Sequence, residues 1–115
     1  MTRQAIGLQR DMWVAPRSVV NSVARFGTPT LYSVNHTALT STADIAAFGP
    51  SYTEYRRVVA PNAEIENINE LDKVWIHSTP SNPADLFASD ADFYVQSKMA
   101  GHRITQLMLR RLTHD

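Results

Sequence analysis

The chain is 115 residues long, 43% of them hydrophobic and 19% charged, which fits one soluble folded domain and leaves too little length for a second ordinary core. Eleven Lys and Arg balance eleven Asp and Glu, so no overall field draws the chain to nucleic acid or an anionic membrane. The absence of Cys excludes disulfides, thiolate metal sites and a thiol nucleophile.

Residues 1–14 read as an N-terminal arm with no signal-peptide stretch, and no segment approaches the roughly 20 apolar residues that span a bilayer. The chain is therefore expected to act in the cytoplasm, or in something assembled there, without a membrane partner. Pro16 suits the first turn of a helix. Val19, Val20, Val23 and Phe26 then follow at helical spacing and Gly27 offers a stop, which predicts one short amphipathic helix. Thr30 to Asn35 alternates as a strand. Residues 36–50 are rich in Thr, Ser and Ala, lack a sustained period and end in Phe48-Gly49-Pro50, so they are expected to form a long loop.

Tyr52 to Ala60 and Ala63 to Ile68 read as two strands across Pro61-Asn62. The clearest strand is Asp72 to His77, with Val74 and Ile76 on one side and Lys73, Trp75 and His77 on the other. Residues 78–91, broken by Pro80 and Pro83, leave the sheet as a second long loop with room for one helical turn at 83–87. Asp92 to Met99 resumes the strand pattern. Arg103 to Leu112 fits either a strand or a helix, and the short Ala100-Gly101-His102 turn favours the antiparallel hairpin partner. The expected fold is mainly β: a small antiparallel β-barrel or sandwich, single-domain over 1–115, with one short N-terminal helix and long loops.

Enzyme chemistry finds little footing. His36, His77, His102 and His114 have no metal-type spacing, and the clustered acids Asp85, Asp90 and Asp92 or Glu64, Glu66 and Glu70 read as solvated rims. There is no Gly-x-Ser-x-Gly elbow and no Gly-rich phosphate loop. No enzyme activity, metal or cofactor is expected. Long loops on a small scaffold are favoured contact surfaces, so Thr40 and Phe48 in the first loop and Ser81, Asn82, Asp85, Leu86, Phe87 and Asp90 in the second form the candidate partner interface. Both loops are expected to order on assembly, and removing residues 81–88 is expected to leave the domain folded. Arg56-Arg57 and Arg110-Arg111 are the basic doublets, and a strand points the members of each to opposite faces. Tyr52, Tyr55, Trp75, Phe93 and Tyr94 beside them suggest the alternative of a small single-stranded nucleic-acid-binding β-barrel.

Three segments taken in order carry a resemblance. They are Val19 to Tyr32 with its Phe26-Gly27 step, the Asp72-Lys-Val-Trp-Ile76 run, and the closing pair Asp92 to Ser97 and Ile104 to Arg111. Together they resemble the head-completion, or head-closure (stopper), proteins of the tailed-bacteriophage connector. The 78–90 loop departs from that pattern, where many relatives have a tight turn. The resemblance implies a β-barrel subunit of a homo-oligomeric ring in the virion neck, with a portal or adaptor protein on the head side and a tail terminator or tail-tube protein on the tail side. It further implies that Arg56, Arg57, Arg110 and Arg111 are the candidate contacts to packaged DNA in the channel.

Overall fold

A computed structural model describes residues 9–39 and 41–112. Eight strands make up the framework: β1 (Gln9–Ala15), β2 (Arg17–Val20), β3 (Val23–Phe26), β4 (Thr30–Ala38), β5 (Tyr55–Pro61), β6 (Lys73–Trp75), β7 (Phe93–Ala100) and β8 (Ile104–Arg111). Six of them close into an antiparallel barrel in the order β1-β4-β5-β8-β7-β6, while β2 and β3 pair only with each other. Closure comes from Val14 opposite Val74 and Trp13 opposite Trp75, which join the first strand to the sixth.

Alternation sorts the side chains. Met12, Val14, Val34, Val58, Ala60, Val74, Phe93, Val95, Leu107 and Leu109 point inward and are buried together. One end of this interior is filled by α2 (Asn62–Ile65) and the turn after it, whose Ile65 and Ile68 are fully buried. Asn62 fixes that end. Its amide donates to the carbonyls of Gly101 and His102, and its oxygen accepts from the Thr105 hydroxyl at 2.6 Å. A side chain on Gly101 would meet the Ile104 carbonyl at 2.8 Å, so the β7–β8 turn needs glycine there.

The expected helix at 16–26 is instead the hairpin β2–β3. Asn21 and Ser22 adopt φ of 52° and 66°, the left-handed pair of a two-residue turn that matches strand twist. Three β-branched valines flank the turn and favour extended backbone. Phe26 alone of the supposed helical stripe is buried; Val19, Val20 and Val23 face solvent. The N-terminal arm is also corrected in part. Residues 9–14 belong to β1 of the barrel, and the rest of that arm lies outside the described residues.

Two further expectations change. Ala63 to Ile68 forms a helical turn rather than a strand, because Ile65 and Ile68 are three apart and both must reach the core. The supposed loop at 36–50 holds the end of β4, the helix α1 (Thr42–Phe48) and the start of a 3-10 turn (Gly49–Glu54). Ser41 caps α1 by accepting from the Asp44 amide at 3.1 Å. The second long loop is real, and residues 103–112 extend as strand β8 with Leu107 and Leu109 inward.

Candidate functional site

Residues 76–92 form a strap on the outside of β1 and β6. They leave the barrel after Trp75, and the backbone carbonyl of Leu86 accepts from the Phe26 amide at 2.7 Å. Lys73, at the far end of β6, donates to the Phe87 carbonyl at 2.8 Å and lies over the Phe26 ring. Beneath the strap is a second core of Ala15, Phe26, Trp75, Ala88 and Ala91. Trp75 is only 1% exposed, although it faces away from the barrel interior.

Aspartates hold the strap by accepting hydrogen bonds from its own backbone. Asp92 accepts from the amides of Ile76 and His77 and from the Ser78 hydroxyl. Asp90 accepts from the Ser81 amide and hydroxyl, and Asp85 from the amides of Phe87 and Ser89 and the Ser89 hydroxyl. Asn82 closes a turn on the Ala84 amide. Of the expected interface residues, Ser81, Asn82, Asp85 and Asp90 therefore build the strap, while Leu86 and Phe87 point outward from its apex. Removing residues 81–88 would take Ala88 from the second core and uncover Trp75, so the segment is part of the folded unit.

Hydrogen bonds from the Ser89 and Phe87 amides pull the Asp85 carboxyl below its usual range. For Asp90, burial pushes upward, but the bonds led by those from Ser81 outweigh it and the carboxyl is also lowered. A folded value below the unfolded one stabilises the strap at neutral pH, and that contribution disappears as pH falls through the folded value. Acidification below about pH 4, the ordinary aspartate range, is thus expected to loosen the strap and shift the Trp75 fluorescence to the red. An emission maximum unchanged through that window would show that the aspartates do not hold it.

Phe48, the first-loop candidate for the interface, lies on another side of the barrel. It packs on Tyr55, with Leu39 and Met108, over β5 and β8, which are diametrically opposite β1 and β6 in the strand order. Thr40 lies outside the described residues.

The arginine doublets split across the wall as alternation requires. Arg57 faces outward and is bound through two bonds to Asp44, the shorter 2.7 Å. Arg110 also faces outward, over the Tyr55 ring and 3.6 Å from Glu54. Arg56 and Arg111 instead line one cavity of about 260 Å³ at the barrel end opposite α2, together with Thr53, His77 and Phe93. Arg56 is anchored there by bonds to the ring and carbonyl of His36. The doublets thus supply two arginines to one mouth and two to acid partners outside it.

Tyr55, Trp75 and Phe93 are buried in the barrel, beneath the strap or under α1, so three of the five candidate stacking aromatics do not form a platform. The contributions of Thr53 and His77 to the mouth, and the exposed valines of β2–β3, carry no motif in the sequence. Among the described residues no group of His, Asp or Glu is arranged to hold a metal ion, and no helix is long and apolar enough to cross a membrane. No family model, curated protein or solved structure matches the chain.

Proposed function

We propose that this chain is a structural subunit of a tailed-bacteriophage neck, forming a homo-oligomeric ring between the portal or adaptor and the tail and helping to close the DNA-filled head. In this reading it is a virion component assembled in the host cytoplasm, and its partners are its own copies, the portal or adaptor, and the tail terminator or tail tube. One observation carries most of the weight. The hairpin β2–β3 and the strap apex, joined by the Phe26–Leu86 bond, expose Val19 at 56%, Phe87 at 53%, and Val20, Val23 and Leu86 at more than 40%. Apolar side chains held outward on an ordered backbone are what a subunit presents when a neighbour completes its burial.

The test leaves the strap backbone intact. Leu86→Ser with Phe87→Ser removes the apolar apex but none of the aspartate bonds, so the melting temperature is expected to stay within a few degrees. Light scattering and electron microscopy should show rings, alone or on a neck partner, for the wild type and monomers for the double variant. A wild-type chain that stays monomeric with every neck component would sink the proposal. Salt-dependent binding to single-stranded oligonucleotide without ring formation would support the alternative reading.

A further inference from the structure

We infer that the strap apex of one copy docks into a groove on the outer wall of a second copy, with Leu86 and Phe87 entering the recess between α1 and the β7–β8 hairpin. This deepens the ring reading by naming the surface that receives the apex, and it rests on the self-association in that reading, not on the neck partners. Phe48 of α1, Gln96, Ser97 and Met99 of β7, and Gln106 and Met108 of β8 line the groove. The register brings them together: Ser97 is opposite Met108 and Met99 is opposite Gln106, on the face of β8 that turns away from the inward Leu107 and Leu109.

The two surfaces match in chemistry and size. Phe48, Met99 and Met108 give the groove an apolar wall, and flexible thioethers adapt to an incoming side chain. Among the described residues no charged group lines it, so an apolar knob enters without stranding an ion. The groove holds about 400 Å³. The seven side-chain carbons of a Phe and the four of a Leu take up about 330 Å³ at the roughly 30 Å³ that liquid water gives each heavy atom. Met99 is 70% exposed, so the receiving wall is open in the isolated subunit.

Area points to a partner of protein size. An ordinary interface buries about 800 Å² on each side, a little over half of it apolar. Leu86, Phe87, Val19, Val20 and Val23 are each about half exposed and together offer roughly 400 Å² of apolar surface. A small ligand in the groove would leave those valines wet, whereas a second copy covers them with the outer wall beside the groove, where Ile104 is also exposed.

Placement sets the kind of assembly. The strap covers β1 and β6 and the groove lies over β8 and β7, two of six strand positions round the closed barrel. The apex therefore faces away from the groove of its own chain, and a two-fold dimer cannot use both contacts at once. The contact is heterologous, so every pair keeps one apex and one groove for further neighbours.

Sedimentation velocity over a concentration series tests this with the full chain. Met99→Glu puts a charge on the groove wall and Ser97→Trp fills the recess; both positions are exposed, so melting temperatures should stay within a few degrees. Wild type should associate as concentration rises, while either groove variant, or Leu86→Ser with Phe87→Ser, should remain a monomer alone. Mixing a groove variant with the apex variant restores one intact contact per pair, and the expected product is a one-to-one dimer that grows no further. Groove variants that associate like wild type, a mixture that stays monomeric, or a wild type monomeric at every concentration overturns the inference. So does a neck component that binds wild type but not Met99→Glu in the absence of self-association, which assigns the groove to another protein. The two ideas fail separately: mixed dimers that bind no neck component keep the contact and lose the neck, and rings that survive Met99→Glu and Ser97→Trp keep the neck and lose the contact.

Discussion

Val74→Asp is expected to abolish the cooperative melt. Val74 is fully buried at the seam where β1 meets β6, opposite Val14 and packed within the barrel interior. No cation in that cluster can pair with a carboxylate, so the substitution either buries a charge or forces the strand out. Either outcome costs on the order of 4 kcal/mol or more, a large share of the 5–15 kcal/mol that holds a typical domain together. Circular dichroism should show a loss of the folded baseline at room temperature. A melting temperature within a few degrees of wild type would mean that the inner and outer faces of β6 are reversed.

Asp72→Ala should be the next most damaging change. Asp72 is 2% exposed, and its carboxylate accepts from the Arg17 amide at the base of β2–β3 and from the Asn69 amide in the turn after α2, both at 2.9 Å. Its own carbonyl accepts from Val95. Removing the side chain leaves two amides without their acceptor, a loss of about 2–4 kcal/mol. The Arg57–Asp44 pair on the outer wall, by comparison, keeps some contact with water and contributes less. A fall in melting temperature on the order of 10 °C follows, with faster hydrogen exchange at Arg17 and Asn69. Asp72→Asn, which keeps one acceptor oxygen, should fall between. Wild-type exchange at those two amides in the Ala variant would show that Asp72 does not tie the hairpin to the barrel.

Period-two patterning made β6, β7 and β8 legible in the sequence, although β6 is covered on both faces and β7 carries a bulge between Val95 and Ser97. The choice of strand over helix for Arg103 to Leu112 holds because Leu107 and Leu109 both face inward. β1 was hidden because Met12 to Ala15 is an unbroken apolar run, whereas Lys73 and His77 bracket Val74 to Ile76 with polar residues. Trp13 and Ala15 lie against the second core, so no polar period marks the strand. The valines of β2–β3 satisfy helical spacing by coincidence, and the deciding residues, Asn21 and Ser22, adopt left-handed backbone without a glycine to announce it. α1 had a signal in Ser41 followed three residues later by Asp44, but its apolar content is low and none of its residues is fully buried.

The site was legible in a similar, partial way. Period-two alternation separates the members of each arginine doublet from sequence alone. Which member meets an acid depends on Asp44 and Glu54, brought over β5 and β8 by α1 and the 3-10 turn, and no local rule places them there. The strap was read as a surface that orders when a partner arrives. The aspartates that looked like a solvated rim are instead its internal fasteners, because carboxylates flanked by Ser and by turn amides find acceptor work locally.

That fastening bears on the thermodynamics of docking. A segment that folds only on contact lowers affinity by its ordering entropy and adds its own burial to the heat-capacity change. A strap already tied by Asp85, Asp90 and Asp92 and seated on Trp75 adds neither. Leu86 and Phe87 would meet a neighbour as fixed knobs, so the heat-capacity change of association would track the area between subunits alone. Dissociation would then leave each subunit with its shape intact, ready to bind again.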